Sequence, residues 1–340
     1  MTLAAQVKFG LEELTGIDSG LKRKGIIKDS LLEKLIEAQK KCDDSYLRLG
    51  YNEQDITELV EYAGMQEYDD KESEKCGEYI GRLITNLTKE NEKLGKRTII
   101  EIPENHLDCL GLYCRKFDIV KIGVNYGNDV FRGAKKGNLL YVERCERDNF
   151  AYFAGCDGGN IRIIAAKEVN GKGFADFAGS RGNVDVIAAK EVNGVWFAWS
   201  AGEKGGNAGM IVAKEVNGGR FAEFGGFKGN VGIIAAKEVN GNEFANNTGD
   251  EGYVRIIAAE MVNGNDFAAG AKSVEHIYKC GEKAAEVYVN AMKKARDELA
   301  KYNIDWGLKF KKIKIIKKIK ETAFFKKEGK LPRKIILPQR

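Results

Sequence analysis

The stretch IIAAKEVNG, at Ile163–Gly171, returns four times: VIAAKEVNG at Val186–Gly194, MIVAKEVNG at Met210–Gly218, IIAAKEVNG at Ile233–Gly241 and IIAAEMVNG at Ile256–Gly264. The Asn-Gly steps that close the copies fall at Asn170, Asn193, Asn217, Asn240 and Asn263, 23 or 24 residues apart. A phenylalanine follows each, at Phe174, Phe197, Phe221, Phe244 and Phe267. Degenerate earlier copies end at Phe131 and Phe150. A fixed period of this length marks a solenoid. Alternating, β-branched runs such as NVDVIAA, bounded by Gly-rich breaks, favour strands over helix pairs. A propeller blade needs about 40 residues or more, and the six-residue spacing of a hexapeptide solenoid is absent. The predicted fold is therefore α+β: a parallel β-solenoid, taken as right-handed, of about six or seven coils with two or three short strands each.

Repetition at this level has a physical cause. Coils of a parallel solenoid stack at about 4.8 Å, the strand spacing, so equivalent residues lie over one another. Identical side chains can then bond or stack along the axis. The Asn column is expected to form an amide ladder, with the following glycine supplying a left-handed turn. The Phe column is expected to fill the interior.

The segment IIAA is apolar on both faces. With Ile161, Ile163 and Ala165 set inward, Ile164 and Ala166 point out, and the opposite phase leaves an apolar exterior as well. A strand of this kind is covered on both sides. The sequence offers three covers. One is the amphipathic segment Ser273–Asn303, with Ala284, Val287, Tyr288, Ala291, Met292, Ala295 and Leu299 on one stripe. The others are the N-terminal helices and a second subunit.

The organisation that follows is a helical region over 1–95, the solenoid over 96–272, the amphipathic helix over 273–303 and a basic tail over 304–340. Asp29–Cys42 carries helical periodicity within the first of these. Hydrophobic residues make up 43% and charged residues 31% of the 340, enough for a sizeable core and against global disorder. The 40 glycines outnumber the three prolines, as many tight turns require. No run of 18 apolar residues exists, so no transmembrane insertion is expected. The first residues carry no apolar signal core, and the seven cysteines are an odd number, so a cytoplasmic location with free thiols is expected.

Candidate chemistry is sparse. Only His106 and His276 are present, far apart and without ligand-spaced partners. Cys109, Cys114, Cys145 and Cys156 fall in the first coils, where stacking could gather thiols for a metal. Their C-x4-C spacing departs from the C-x2-C of zinc motifs, so buried thiols and no metal or other cofactor are expected. Glycine-rich turns such as GEKGGN carry no Walker pattern.

Two features stand out. Trp196 and Trp199 break the repeat where other copies carry Gly173, Arg220, Glu243 or Asp266 and Asp176, Glu223 or Asn246. Flanking an inward Phe197, they are expected to face outward as binding anchors, unless a terminal helix packs over them. The second feature is LKFKKIKIIKKIKETAFFKK, Leu308–Lys327, a basic amphipathic pattern with Lys311, Lys312, Lys314, Lys317, Lys318 and Lys320 off its apolar stripe. Residues 301–340 hold 14 Lys/Arg against 3 Asp/Glu while the whole chain is +5, so the remainder is net acidic. The tail either contacts phosphates without sequence preference or clasps the acidic remainder.

These readings point to a non-catalytic cytoplasmic scaffold or protein-interaction module, with a protein partner or a second copy of the chain. The alternatives are a nucleic-acid or ribonucleoprotein-associated factor using the Lys-rich segment, and an enzyme working on the outer surface near Trp196, Trp199, Asp176 and Glu223.

Overall fold

The computed structural model describes residues 51–65 and 68–307; the segments 29–42 and 308–327 discussed above lie outside them. Nine strands form one all-parallel sheet in chain order: β1 Ile99–Asn105, β2 Ile119–Asn125, β3 Lys136–Cys145, β4 Asn160–Val169, β5 Asn183–Val192, β6 Asn207–Val216, β7 Asn230–Val239, β8 Tyr253–Val262 and β9 Val274–Lys279. The chain is a β-solenoid. It has more coils than the six or seven expected, because the first units are shorter. Ile99 pairs with Ile119 and Ile119 with Leu139, a spacing that lacks the IIAAKEVNG signature. Beyond β4 the register is set by identity: Ile164, Ile187, Ile211, Ile234 and Ile257 stand in line.

Both predicted columns are present. The rings of Phe174, Phe197, Phe221, Phe244 and Phe267 stack at 4.9–5.2 Å with interplanar angles of 3–4°. Phe150 joins the column on Phe174 at 5.2 Å. Phe131 does not, and instead meets Phe117 edge to face. In the Asn column, Asn193 donates to Asn170, Asn217 to Asn193, Asn240 to Asn217 and Asn263 to Asn240, at 2.8–2.9 Å. A second amide ladder runs through Asn183, Asn207 and Asn230 at the strand entrance.

The strand phase differs from the trial setting. Ile161, Ile164, Ala166 and Val169 face the interior, whereas Ile163 and Ala165 face outward. Regular pairing passes over Arg162 and Lys167 with the register unchanged, and the strict alternation of faces breaks at both points, so Ile161 and Ile164, and then Ala166 and Val169, all point inward. The outward stripe, Ile163, Val186, Met210, Ala165, Ala188, Val212 and Ala235, is covered by helix α3, Glu282–Ala300. Tyr288, Ala291, Met292, Ala295 and Leu299 pack onto it. Alanines let the helix approach closely, and Arg162 holds Glu298 at 2.6 Å. Past the helix, Ile304 and Trp306 continue the same cluster to Ile119, Leu139 and Tyr141.

Two helices cap the first coil. α1, Glu53–Gly64, opens on an Asn52–Asp55 capping box, and α2, Asp70–Lys93, on an Asp69–Glu72 box. The Thr57 hydroxyl donates to the Glu101 carbonyl of edge strand β1 at 3.0 Å. Gly77 is obligatory for the fit of α2, since a β-carbon there would lie 1.9 Å from the Cys109 carbonyl oxygen. No helix among the described residues is long and apolar enough to cross a membrane.

The other half of each coil, the return arc, is not made of short strands. Alternate residues are left-handed: Gly173, Ala175, Phe177, Gly179 and Arg181 have φ of 52–72°. Their N–H groups point alternately along the solenoid axis. Those of Gly173, Phe177 and Arg181 donate to the next coil, at Val195, Trp199 and Glu203. Those of Ala175 and Gly179 donate to the previous coil, at Phe150 and Ala154. Each left-handed non-glycine residue costs about 1–2 kcal/mol. The bonds that these residues make to the coils on either side offset that cost.

Two substitutions test this architecture. Phe221→Ala opens a gap in the ring column and should lower unfolding free energy by about 3–5 kcal/mol in urea titrations. Val212→Lys places an unpaired charge beneath α3 and should expose that helix to limited proteolysis while destabilising the fold.

Candidate functional site

The return arc puts its side chains on the surface opposite α3, in columns set by the coil spacing. One column reads Asp129, Asn149, Gly173, Trp196, Arg220, Glu243 and Asp266, all with φ of 54–71°. A second, three residues on, reads Arg132, Tyr152, Asp176, Trp199, Glu223 and Asn246. Between them lies a cavity of about 440 Å³, lined by Asp129, Arg132, Asn149, Tyr152, Asp176, Phe177, Trp196, Trp199 and Arg220.

The two tryptophans expected to face outward both line this groove. Trp196 is 39% exposed. Trp199 is half-buried, edge-on to Phe177 at 4.8 Å and to Phe224 at 5.9 Å. α3 does not cover either one, because it packs on the sheet side. Tyr152 and Phe177 extend the aromatic wall, their rings 5.5 Å apart.

Asp176 sits in the floor and is buried. Its Oδ1 accepts the Trp199 backbone N–H at 3.0 Å. Its Oδ2 points toward Gly173, lying 3.3 Å from where a β-carbon on that glycine would stand. Burial raises the carboxyl to about 9, only partly opposed by the Trp199 N–H. Asp176 is therefore a neutral acid at pH 7, able to donate as well as accept.

The charged neighbours are paired. Arg220 bonds Glu243 at 2.8 Å and approaches Glu223 at 3.7 Å. Arg132 lies 3.8 Å from Asp129 and over the Tyr152 ring at 5.9 Å. Burial, then the charge of Glu243, raises the Glu223 carboxyl, with Arg220 and the Trp199 side chain opposing. The Trp199 indole Nε1 and Glu223 Oε2 are buried without a hydrogen bond of good geometry.

The four early cysteines are not gathered. Cys114 lies against Thr85 and the Lys116 carbonyl, Cys145 against Asn125 and the Arg147 carbonyl, and Cys156 against Lys135. Burial pushes Cys109 and Cys145 up to about 12 and Cys114 to about 11, which keeps them as thiols. Among the described residues no group of three or more His, Cys, Asp or Glu side chains is arranged to hold a metal.

Sequence reasoning did not bring Asp129, Arg132, Asn149 and Tyr152 to this site. Their coils lack the repeat signature that would have aligned them with Trp196 and Trp199.

Asp176 gives a pH test. The folded protein keeps its proton up to about pH 9, whereas the unfolded carboxyl releases it near 3.8. The folded state thus binds the extra proton across that interval, and stability falls as pH rises through it. Asp176→Asn retains an acceptor for the Trp199 N–H but cannot ionise. Its melting temperature should gain on the parent's steadily from about pH 5 to about pH 9, by several degrees at the alkaline end. Parallel curves would mean that Asp176 is already ionised in the fold.

Comparison of the chain with family models, with curated proteins and with solved structures gives no match in any of the three.

Proposed function

We propose that this chain is a non-catalytic binding scaffold, in which a rigid solenoid presents one groove on its return arc to a ligand or partner. The observation that carries this reading is local. Coils that are otherwise near-copies diverge at Asp176, Trp196, Trp199 and Arg220, and those positions line a common cavity. Positions that only stack have no reason to diverge. A concave site with aromatic walls and a few convergent polar groups suits recognition. The free, undisulfided cysteines among the described residues agree with a reducing, cytoplasmic setting for that role.

The enzyme alternative is less well supported. Asp176 and Glu223 stand two coils apart, about 10 Å along the axis. Trp199 occupies the coil between them in the same column, so the two carboxyls cannot share one water or one proton.

The test is capture by the full-length protein from an extract of its own source, compared with Trp196→Ala and Arg220→Ala. A molecule held by the parent and weakened about tenfold or more by both substitutions supports the reading. Equal retention by all three proteins rejects the groove. Release of a chemically altered molecule rejects the non-catalytic assignment.

A further inference from the structure

The two ends of the solenoid are finished differently. At the first coil α1 and α2 close the core, and Thr57 bonds the edge strand β1. At the last coil β9 is an edge strand, and among the described residues nothing pairs with its far side. The interior columns run out into solvent there. Ile277 continues the line of Ile211, Ile234 and Ile257, yet it is 47% exposed where those three are buried. Phe267, the last ring of the stack, and Val274 are only partly buried. On the return arc, Glu243 and Asn247 donate their N–H groups to Asn265 and Ala269 of the next coil. Asp266 and Gly270 hold the equivalent left-handed positions one coil on, where no further coil follows. An open strand edge backed by an apolar core is a template for pairing.

We propose that two copies of this chain join end to end through β9, as an antiparallel strand pair related by a two-fold axis at Ile277. The strand's own residues select that partner. In this register Ile277 meets Ile277 of the second copy, His276 meets Tyr278, and Glu275 of each copy stands beside Lys279 of the other. Lys279 has no carboxylate partner among the described residues and lies over the Phe267 ring at 5.9 Å. Glu275 is held at the edge by the Tyr253 hydroxyl, with Arg255 3.8 Å away. Opposite charges facing one another across antiparallel strands stabilise the pair, and like charges weaken it. A parallel, in-register β9 would set Lys279 on Lys279 and Glu275 on Glu275. Head-to-tail growth is closed as well, because α1 and α2 occupy the other end. The edge charges therefore favour one closed, two-fold pair over open-ended stacking. The chain's own flanking segments start far from this edge. α1 sits on β1, and Tyr302, just past α3, lies beneath Arg97 at 5.6 Å. Both segments thus adjoin the first coils, and β9 is eight strand spacings, about 38 Å, from β1. A two-fold axis perpendicular to the sheet keeps both return arcs on one side, so the pair presents two grooves in the same direction and can bind a repeated partner with avidity. The pairing itself does not depend on the groove.

The experiment is sedimentation velocity on the full-length protein over a dilution series reaching about 10 μM. The parent should sediment as a species of twice the chain mass that dissociates on dilution. Ile277→Lys should weaken association more than about tenfold while leaving the circular dichroism spectrum unchanged, since that side chain is already half exposed. Glu275→Lys and Lys279→Glu should each weaken it as well, the first by placing four lysines at the junction and the second four glutamates. Mixing these two variants one to one should restore association as a mixed pair, because each then supplies the charge that the other lacks. The double variant carrying both reversals should associate with itself like the parent, which covers a single variant that loses the Tyr253 contact. A parent that stays monomeric, association that continues into open-ended chains, equal association by the parent and all single variants, or a mixture and double variant that both fail to recover overturns the proposal.

Discussion

Everything in this fold depends on backbone hydrogen bonding between coils at one fixed spacing. On the sheet side the bonds are those of parallel strands. On the return arc they run from left-handed residues alternately to the coil on either side. Because both halves are tied to the same pitch, side chains have no freedom to drift out of line. Likeness between coils then becomes stabilising in itself: flat phenylalanines stack, and each asparagine amide satisfies its neighbour. The five near-identical nonapeptides are the sequence record of that geometry.

The same constraint makes the groove possible. Left-handed φ values normally confine a position to glycine, yet here the inter-coil bonds hold alanine, phenylalanine, tryptophan and arginine there. An outward column on the return arc therefore tolerates varied side chains, and its identity is free to serve recognition. The interior columns have no such freedom, because Phe221 or Ala222 must match the residues above and below. Binding chemistry and stacking are thus separated onto different positions of one repeat.

The repeat period, the parallel topology and both stacked columns were legible because each follows from spacing alone. Three things were not. The phase of IIAA was hidden by the irregularity at Arg162, which lets Ile161 and Ile164 both point inward. The return arc was read as short strands, since no propensity rule anticipates alternate left-handed residues at alanine and phenylalanine. The groove was visible only in part. Trp196 and Trp199 announced themselves by breaking the repeat, whereas Arg132 and Tyr152 come from early coils whose spacing differs. The raised carboxyl of Asp176 depends on burial, which no linear reading of the chain supplies.

Helix α3 has a consequence for how such a chain can change. Tandem near-copies are prone to gain or lose a unit, and a solenoid alone would accept either. α3 lies along the coils, and its 19 residues extend about 28 Å. That length matches about six strands at 4.8 Å each. An added coil would lengthen the apolar stripe by one strand and leave it bare unless the helix grew by about three residues. The helix is a ruler laid against the repeats, and copy number and helix length must evolve together.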